Sequence, residues 1–248
     1  MITRELLGTA QVPGGEELKL YAHGRDFMIV LGHNELMSTR MRGSEEALAT
    51  MTLDRLRRGA DARLLVGGYG MGFTLRKALG RLGPRGHVTV AELVPEIIEW
   101  ARGPMQAVAA GCLDDPRVTL RMDDVADAML LTPDPFDAIL LDVDNGPDGL
   151  VRADNNRLYS KSGLHNARRA LAPDGVLAIW SAGPDPKFVR RMTDVGFQVE
   201  EVEVRARIDK NGKGKGPRHV IWFATTPKPH RYGSNRVDPV VERASKSR

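Results

Sequence analysis

The most constraining stretch of this chain begins at Leu64-Leu65-Val66, an apolar run that gives way to glycines at positions 67, 68, 70 and 72. Phe73-Thr74-Leu75-Arg76 then opens a helix-compatible segment reaching residue 82. Strand, tight glycine turn and helix in that order is the shape of a nucleotide site. Glycine allows a sharp turn with positive φ and lets backbone approach a ligand with no Cβ between them. A helix start behind the turn adds unpaired N–H groups facing the ligand. Gly68, Gly70 and Gly72, with Met71 among them, are therefore candidate cofactor contacts.

Acids follow at matching places. His87-Val88-Thr89-Val90-Ala91 reads as a second strand that ends at Glu92, about twenty residues past the glycines, where a carboxylate binds ribose hydroxyls. A third strand, 117–122, ends in Asp123-Asp124, and a fourth, 136–141, ends in Asp142. Acids at the carboxyl ends of successive strands line the crevice where open α/β sheets bind ligands. Asp124 precedes Val125-Ala126-Asp127-Ala128-Met129 and suits a helix N-cap as well as a ligand contact.

Around this stretch the pattern predicts an α/β chain. Residues 18–22, 27–31 and 35–39 read as strands of a small N-terminal antiparallel sheet, a cap apart from the nucleotide site. Ser44 is the expected N-cap of a helix to residue 58, with Glu45 and Glu46 suiting its dipole. Strands are expected at 62–67, 87–92, 117–122, 136–142 and 176–181. Helices are expected at 73–82, 95–102, 124–131, 162–171 and 187–195, with Pro173-Asp174-Gly175 as a turn. Such alternation implies a mostly parallel sheet with helices on both faces. Strands 197–207 and 218–226, with no helix between them, close it as an antiparallel hairpin. The expected divisions are 1–43, 44–227 and a basic tail, 228–248.

Composition narrows the function. No apolar run approaches the ~18 residues that span a bilayer, and Met1-Ile2-Thr3-Arg4-Glu5 lacks the apolar core of a signal peptide, so a soluble, cytoplasmic protein is expected. Cys112 is the only cysteine; it reads as a small buried residue, with no thiolate cluster, and the histidines show no metal-ligand spacing. The net charge of +4 conceals a mildly acidic body. Residues 205–248 carry twelve Lys/Arg against Asp209, Asp238 and Glu242, placing basic charge in a hairpin loop (Lys210, Lys213, Lys215, Arg218) and the tail. That distribution argues against a nucleic-acid substrate.

The seven-stranded sheet with its terminal hairpin, the G-x-G-x-G turn and Glu92 resemble the Rossmann-like class I S-adenosylmethionine transferase fold. Within it the chain is similar to the spermidine synthase family over nearly its whole length. Thr74-Leu75-Arg76, Glu92 with Ile97-Ile98-Glu99, Asp142, Leu158-Tyr159 and the run from Ala170 to Leu177 carry the resemblance. It implies that Glu92 holds a ribose, Asp124 an adenine amino group, and the glycines a methionine-like tail of S-adenosylmethionine or its decarboxylated form. It also implies a homodimer.

The departures are informative. Where the family has an aspartate that grips the donor's ammonium, this chain has Met71; where it has a proton-accepting aspartate, this chain has Asn145, with Asp144 one residue early; and Ser44 stands for a tyrosine. Asp142 and Asp144 are the candidate catalytic residues. The loop at 142–157 holds Asp142, Asp144, Asp148 and Asp154 against Arg152 and Arg157, an excess of carboxylate that favours a small cationic acceptor, in keeping with an amine. Trp180, at the end of the fifth strand, reads as core first and as a wall of the acceptor pocket second. The expected activity is transfer of a methyl or aminoalkyl group to such an acceptor. Aminopropyl transfer to putrescine, nucleic-acid methylation and non-catalytic nucleoside binding are the competing readings.

Overall fold

The structure is a computed structural model that describes residues 4–143, 155–209 and 211–226. Four strands come first: β1 (Glu5–Gln11), β2 (Glu17–His23), β3 (Asp26–Leu31) and β4 (Asn34–Ser38), paired antiparallel in that order. Helix α1 (Gly43–Arg55) leads to β5 (Arg63–Gly67), α2 (Phe73–Leu79), β6 (His87–Ala91), α3 (Pro95–Arg102) and α4 (Gln106–Ala109). Then come β7 (Val118–Arg121), α5 (Val125–Leu130), β8 (Phe136–Leu141), α6 (Asn155–Leu158) and α7 (Lys161–Ala170). The chain closes with β9 (Leu171–Ser181), α8 (Pro186–Asp194), β10 (Gln198–Ile208) and β11 (Gly214–Thr225).

The second sheet has seven strands in the order β10-β11-β9-β8-β5-β6-β7. Pairs among β9, β8, β5, β6 and β7 are parallel, and β11 runs antiparallel to both β9 and β10. Leu64, Leu65, Val66, Ile139, Leu140, Leu177 and Ile179 are all buried. Helices cover both faces of these strands, so they read as continuous apolar runs instead of alternating ones.

Local departures from the sequence expectation have local causes. Strand β1 is an addition: Gly8 interrupts its alternation, and a Cβ there would lie 2.6 Å from Trp100 Nε1 on α3, with a shift in pairing register beside it. Helix α1 starts at Gly43, and no side chain caps it. A Cβ on Gly43 would meet the carbonyls of Arg205 and Ala206 at 3.0 Å, so the helix begins jammed against β10 and Ser44 turns inward. Residues 173–175 are not a free turn but the irregular start of β9, where Asp174 takes φ +65°. Lys215 and Arg218 stand on β11, not in a hairpin loop. Lys210 and the tail lie outside the described residues.

The N-terminal sheet does not stand apart. Leu18, Leu20 and Ile29 share one apolar cluster with Val94, Ile97 and Trp100. Among the described residues, no helix is long and apolar enough to cross a membrane.

Candidate active site

The carboxyl ends of β5, β6, β7, β8 and β9 open on a cavity of about 340 Å³. The strand β11 reaches the same edge, because its antiparallel course puts His219 one residue beyond the Val220–Ser181 pair. The N-terminal sheet forms the opposite wall through Leu18, Ile29, Glu35 and Met37, correcting its expected role as a cap remote from the site.

The glycine turn is built as its sequence requires. Gly68 sits at φ +82°, and a Cβ there would lie 2.7 Å from the carbonyl oxygen of Asp142. Gly68 and Gly70 line the cavity. Gly72 and Met71 do not: Gly72 takes φ +78° at the start of α2 under the Tyr69 ring, and Met71 is 1% exposed within the apolar core. Spacing alone cannot separate turn residues that face a ligand from those that anchor the helix.

Glu92 is buried at the end of β6 and lines the cavity. Its Oε2 accepts from the Tyr69 N–H at 2.9 Å and its Oε1 from the Val94 N–H at 2.8 Å. Burial pushes its proton affinity up, against the pull of those backbone donors. The backbone N–H groups of Leu93 and Gly70 pull on the carboxylate as well.

Asp124 caps α5, its Oδ1 accepting from the Ala126 N–H at 2.9 Å, and it also lines the cavity. Neighbouring Asp123 does so while paired to Arg121 at 2.8 Å. Asp142 follows β8, and its Oδ2 accepts from Thr74 Oγ1 at 3.2 Å. Burial raises its pKa to about 6. Asp144, Asn145, Asp148, Arg152 and Asp154 lie outside the described residues.

Three residues assigned other places by the sequence also line this cavity. Glu45, read as a helix-dipole acid, is half-buried in the wall, where desolvation and the charges of Asp142 and Glu46 hold its pKa well above the ordinary range. Ser44, read as an N-cap, instead places Oγ 2.8 Å from His219 Nδ1. Trp180, read as core first and pocket wall second, is largely buried and also forms part of the wall, packing edge-on against His219 with ring centres 4.7 Å apart. No spacing rule would single out Glu45 or Ser44, whereas the place of Trp180 at a strand end did point to the pocket; the absence of a tyrosine at position 44 is a further hint that this corner is rebuilt.

Cys112 is buried, and its Sγ lies 3.4 Å from the Tyr69 hydroxyl. Burial pushes both groups toward their protonated forms, which leaves the thiol unsuited to nucleophilic work. Six carboxylates thus line the cavity, namely Glu35, Glu45, Glu92, Asp123, Asp124 and Asp142, and no Lys or Arg does so among the described residues. A cavity of that character selects positive charge.

Comparison with known proteins gives this arrangement a context. A polyamine aminopropyltransferase of Mycobacterium tuberculosis is 38% identical over 129 residues, covering 51% of this chain and 24% of that protein. Polyamine aminopropyltransferase 1 of Streptomyces coelicolor is 34% identical over 154 residues, covering 59% and 28%. The chain therefore spans about a quarter of the length of these curated relatives. The crystal structure of spermidine synthase from Thermotoga maritima superposes with a TM-score of 0.70 at 18% identity, over 90% of this chain and 74% of that one. A probable spermidine synthase from Corynebacterium glutamicum gives 0.61 at 17%, over 89% and 80%. At such identity the two structures speak to fold. The model of the spermine/spermidine synthase domain matches residues 43–187, more than half of the chain, and the chain belongs to that family.

Proposed function

We propose that this protein transfers an aminopropyl group from decarboxylated S-adenosylmethionine to a small amine such as putrescine. The observation that carries the reading is the cavity wall: six carboxylates and no Lys or Arg among the described residues. The donor carries a sulfonium and an ammonium, and the acceptor is an amine, so every charged group entering the site would be positive. A buried carboxylate such as Glu92 attracts a cation more strongly than it would in water.

In this reading Glu92 holds the ribose, Asp124 the adenine amino group, and the backbone at Gly68 and Gly70 flanks the sulfonium. Met71 cannot hold the ammonium, being part of the core. Glu45 and Asp142, both held beside the turn by Thr74, take that role. Their mutual repulsion, which raises the proton affinity of Glu45, is relieved by a cation between them. The chemistry asks little else of the protein. A sulfonium is already an activated leaving group, so aligning nucleophile, carbon and sulfur and excluding water accounts for most of the work. The amine must shed its proton before it attacks.

Methyl transfer from S-adenosylmethionine is the second reading, and the observation favouring it is Met71 where the family has an acid. A donor carboxylate would, however, face Glu45 and Asp142. Calorimetric titration with both donors, followed by product analysis with putrescine, tests the choice. Tighter binding of the decarboxylated donor together with formation of spermidine is expected. Tighter binding of the carboxylated donor with no spermidine would overturn the aminopropyl reading.

A further inference from the structure

The cavity walls follow the sheet in order. Asp123 and Asp124 stand at the end of β7, Glu92 at β6, Gly68 and Gly70 at β5, Asp142 at β8, Trp180 at β9 and His219 on β11, one residue before its pairing with β9 begins. A nucleoside donor held by the first of these occupies the β7-to-β8 side. In-line displacement requires the nucleophile to approach from the side opposite sulfur, which leaves the β9 and β11 end for the acceptor. That end is built differently from the rest: Ser44, Trp180 and His219 are uncharged hydrogen-bonding groups in an otherwise acidic cavity.

We propose that Ser44, Trp180 and His219 form the acceptor end, and that His219 Nε2 takes the proton given up by the attacking amine. The inference rests on the aminopropyl reading above. Ser44 Oγ lies 2.8 Å from Nδ1. In the tautomer where Nδ1–H donates to Ser44, the lone pair sits on Nε2, the ring nitrogen left for a cavity ligand. Trp180 packs edge-on against the imidazole, which fixes the plane of the ring. Among the described residues its own buried Nε1–H donor has no acceptor, and it lies in the wall beside His219.

Burial lowers the pKa of His219, so the ring is neutral and able to accept at neutral pH. The charged groups that share the cavity with it include Glu45 from α1, Glu35 from β4 and Asp142 after β8, and those flanking it on the hairpin are Glu203 and Arg205 from β10 and Arg218 on its own strand. Arg218 is occupied by Glu203 at 3.2 Å. The step balances simply. An ammonium acceptor loses one proton to Nε2, its nitrogen forms a bond to the aminopropyl carbon, and the carbon–sulfur bond breaks with its electron pair going to sulfur. Methylthioadenosine leaves as a neutral thioether, and imidazolium passes the proton to solvent.

The test compares the full chain with His219→Gln, Ser44→Ala, Ser44→Thr and Asp144→Asn, following transfer from the decarboxylated donor to putrescine between about pH 5 and 9. His219→Gln is expected to lower kcat by about 10²–10⁴-fold and to abolish the decline on the acid side. Donor affinity by calorimetry is expected to stay within about threefold, separating chemistry from binding. Ser44→Ala lowers kcat less, and Ser44→Thr restores it. An unchanged pH profile in His219→Gln, or its loss in Asp144→Asn alone, overturns the proposal. A second measurement does not need turnover: imidazole NMR with methylthioadenosine bound. Putrescine is expected to shift the His219 resonances, and resonances that stay put overturn the acceptor placement. Shifted resonances with no spermidine formed leave the acceptor end standing and locate the failure in the aminopropyl reading.

Discussion

The amide nitrogen of Tyr69 stands 2.9 Å from Oε2 of Glu92, so the acid closing the second parallel strand is fastened to the glycine turn that closes the first. The ligand contact and the shape of the turn are therefore one device. Glu92→Gln replaces one of the two accepting oxygens with an amide group that cannot accept. A charge-assisted bond is worth ~1.5–3 kcal/mol, so affinity for methylthioadenosine is expected to fall by about ten- to hundredfold. Calorimetry at neutral pH checks this, and undiminished affinity would remove Glu92 from the site.

Glu45 gives a sharper contrast. If it holds the donor's ammonium, Glu45→Gln weakens binding of decarboxylated S-adenosylmethionine by about ten- to hundredfold while leaving methylthioadenosine, which has no ammonium, nearly unchanged. Parallel losses for both ligands would mean that Glu45 shapes the cavity and does not grip the donor.

Asp142 should make stability depend on pH in an unusual direction. Its pKa is raised from 3.8 to about 6 by burial, so the folded protein binds this proton more tightly than the unfolded chain does. Stability is then lost as pH rises between those two values, by up to about 3 kcal/mol. Asp142→Asn is expected to unfold at higher denaturant than the wild type at pH 8, and the advantage should vanish near pH 4. Urea titrations at both values decide it, and a constant difference would exclude the buried acid as its source.

Gly68→Ala tests the turn. The residue sits at φ +82°, and the added methyl would lie 2.7 Å from the Asp142 carbonyl oxygen. A left-handed conformation costs a non-glycine residue ~1–2 kcal/mol before any clash is counted, so a loss of at least about 2 kcal/mol is expected in chemical unfolding. Gly183→Ala, where a Cβ meets nothing within 4 Å, serves as the control.

The parallel strands were legible because burial on both faces leaves apolar runs such as Leu64-Leu65-Val66 and Ala138-Ile139-Leu140-Leu141 with little else to become. The acids after them, Glu92, Asp124 and Asp142, were legible because topology puts strand ends in the crevice. What stayed hidden depends on approach between distant parts of the chain. Strand β1 is broken by the glycine that admits Trp100, the inward turn of Ser44 follows from Gly43 meeting β10, and a first-turn acid such as Glu45 looks the same whether it faces solvent or a cavity. Met71 failed in the opposite sense: its place among the glycines suggested a ligand contact, and packing took it into the core.

The bond between Ser44 and His219 joins residues 175 positions apart. At ribosomal speeds of about 5–20 residues per second, roughly 10–35 seconds separate the synthesis of its two ends. One wall of the cavity is thus made last, when the final hairpin docks on a sheet already formed. A nascent chain that has finished β9 holds the nucleoside side of the site but not the far corner, and it gains the whole only on release of its closing strand.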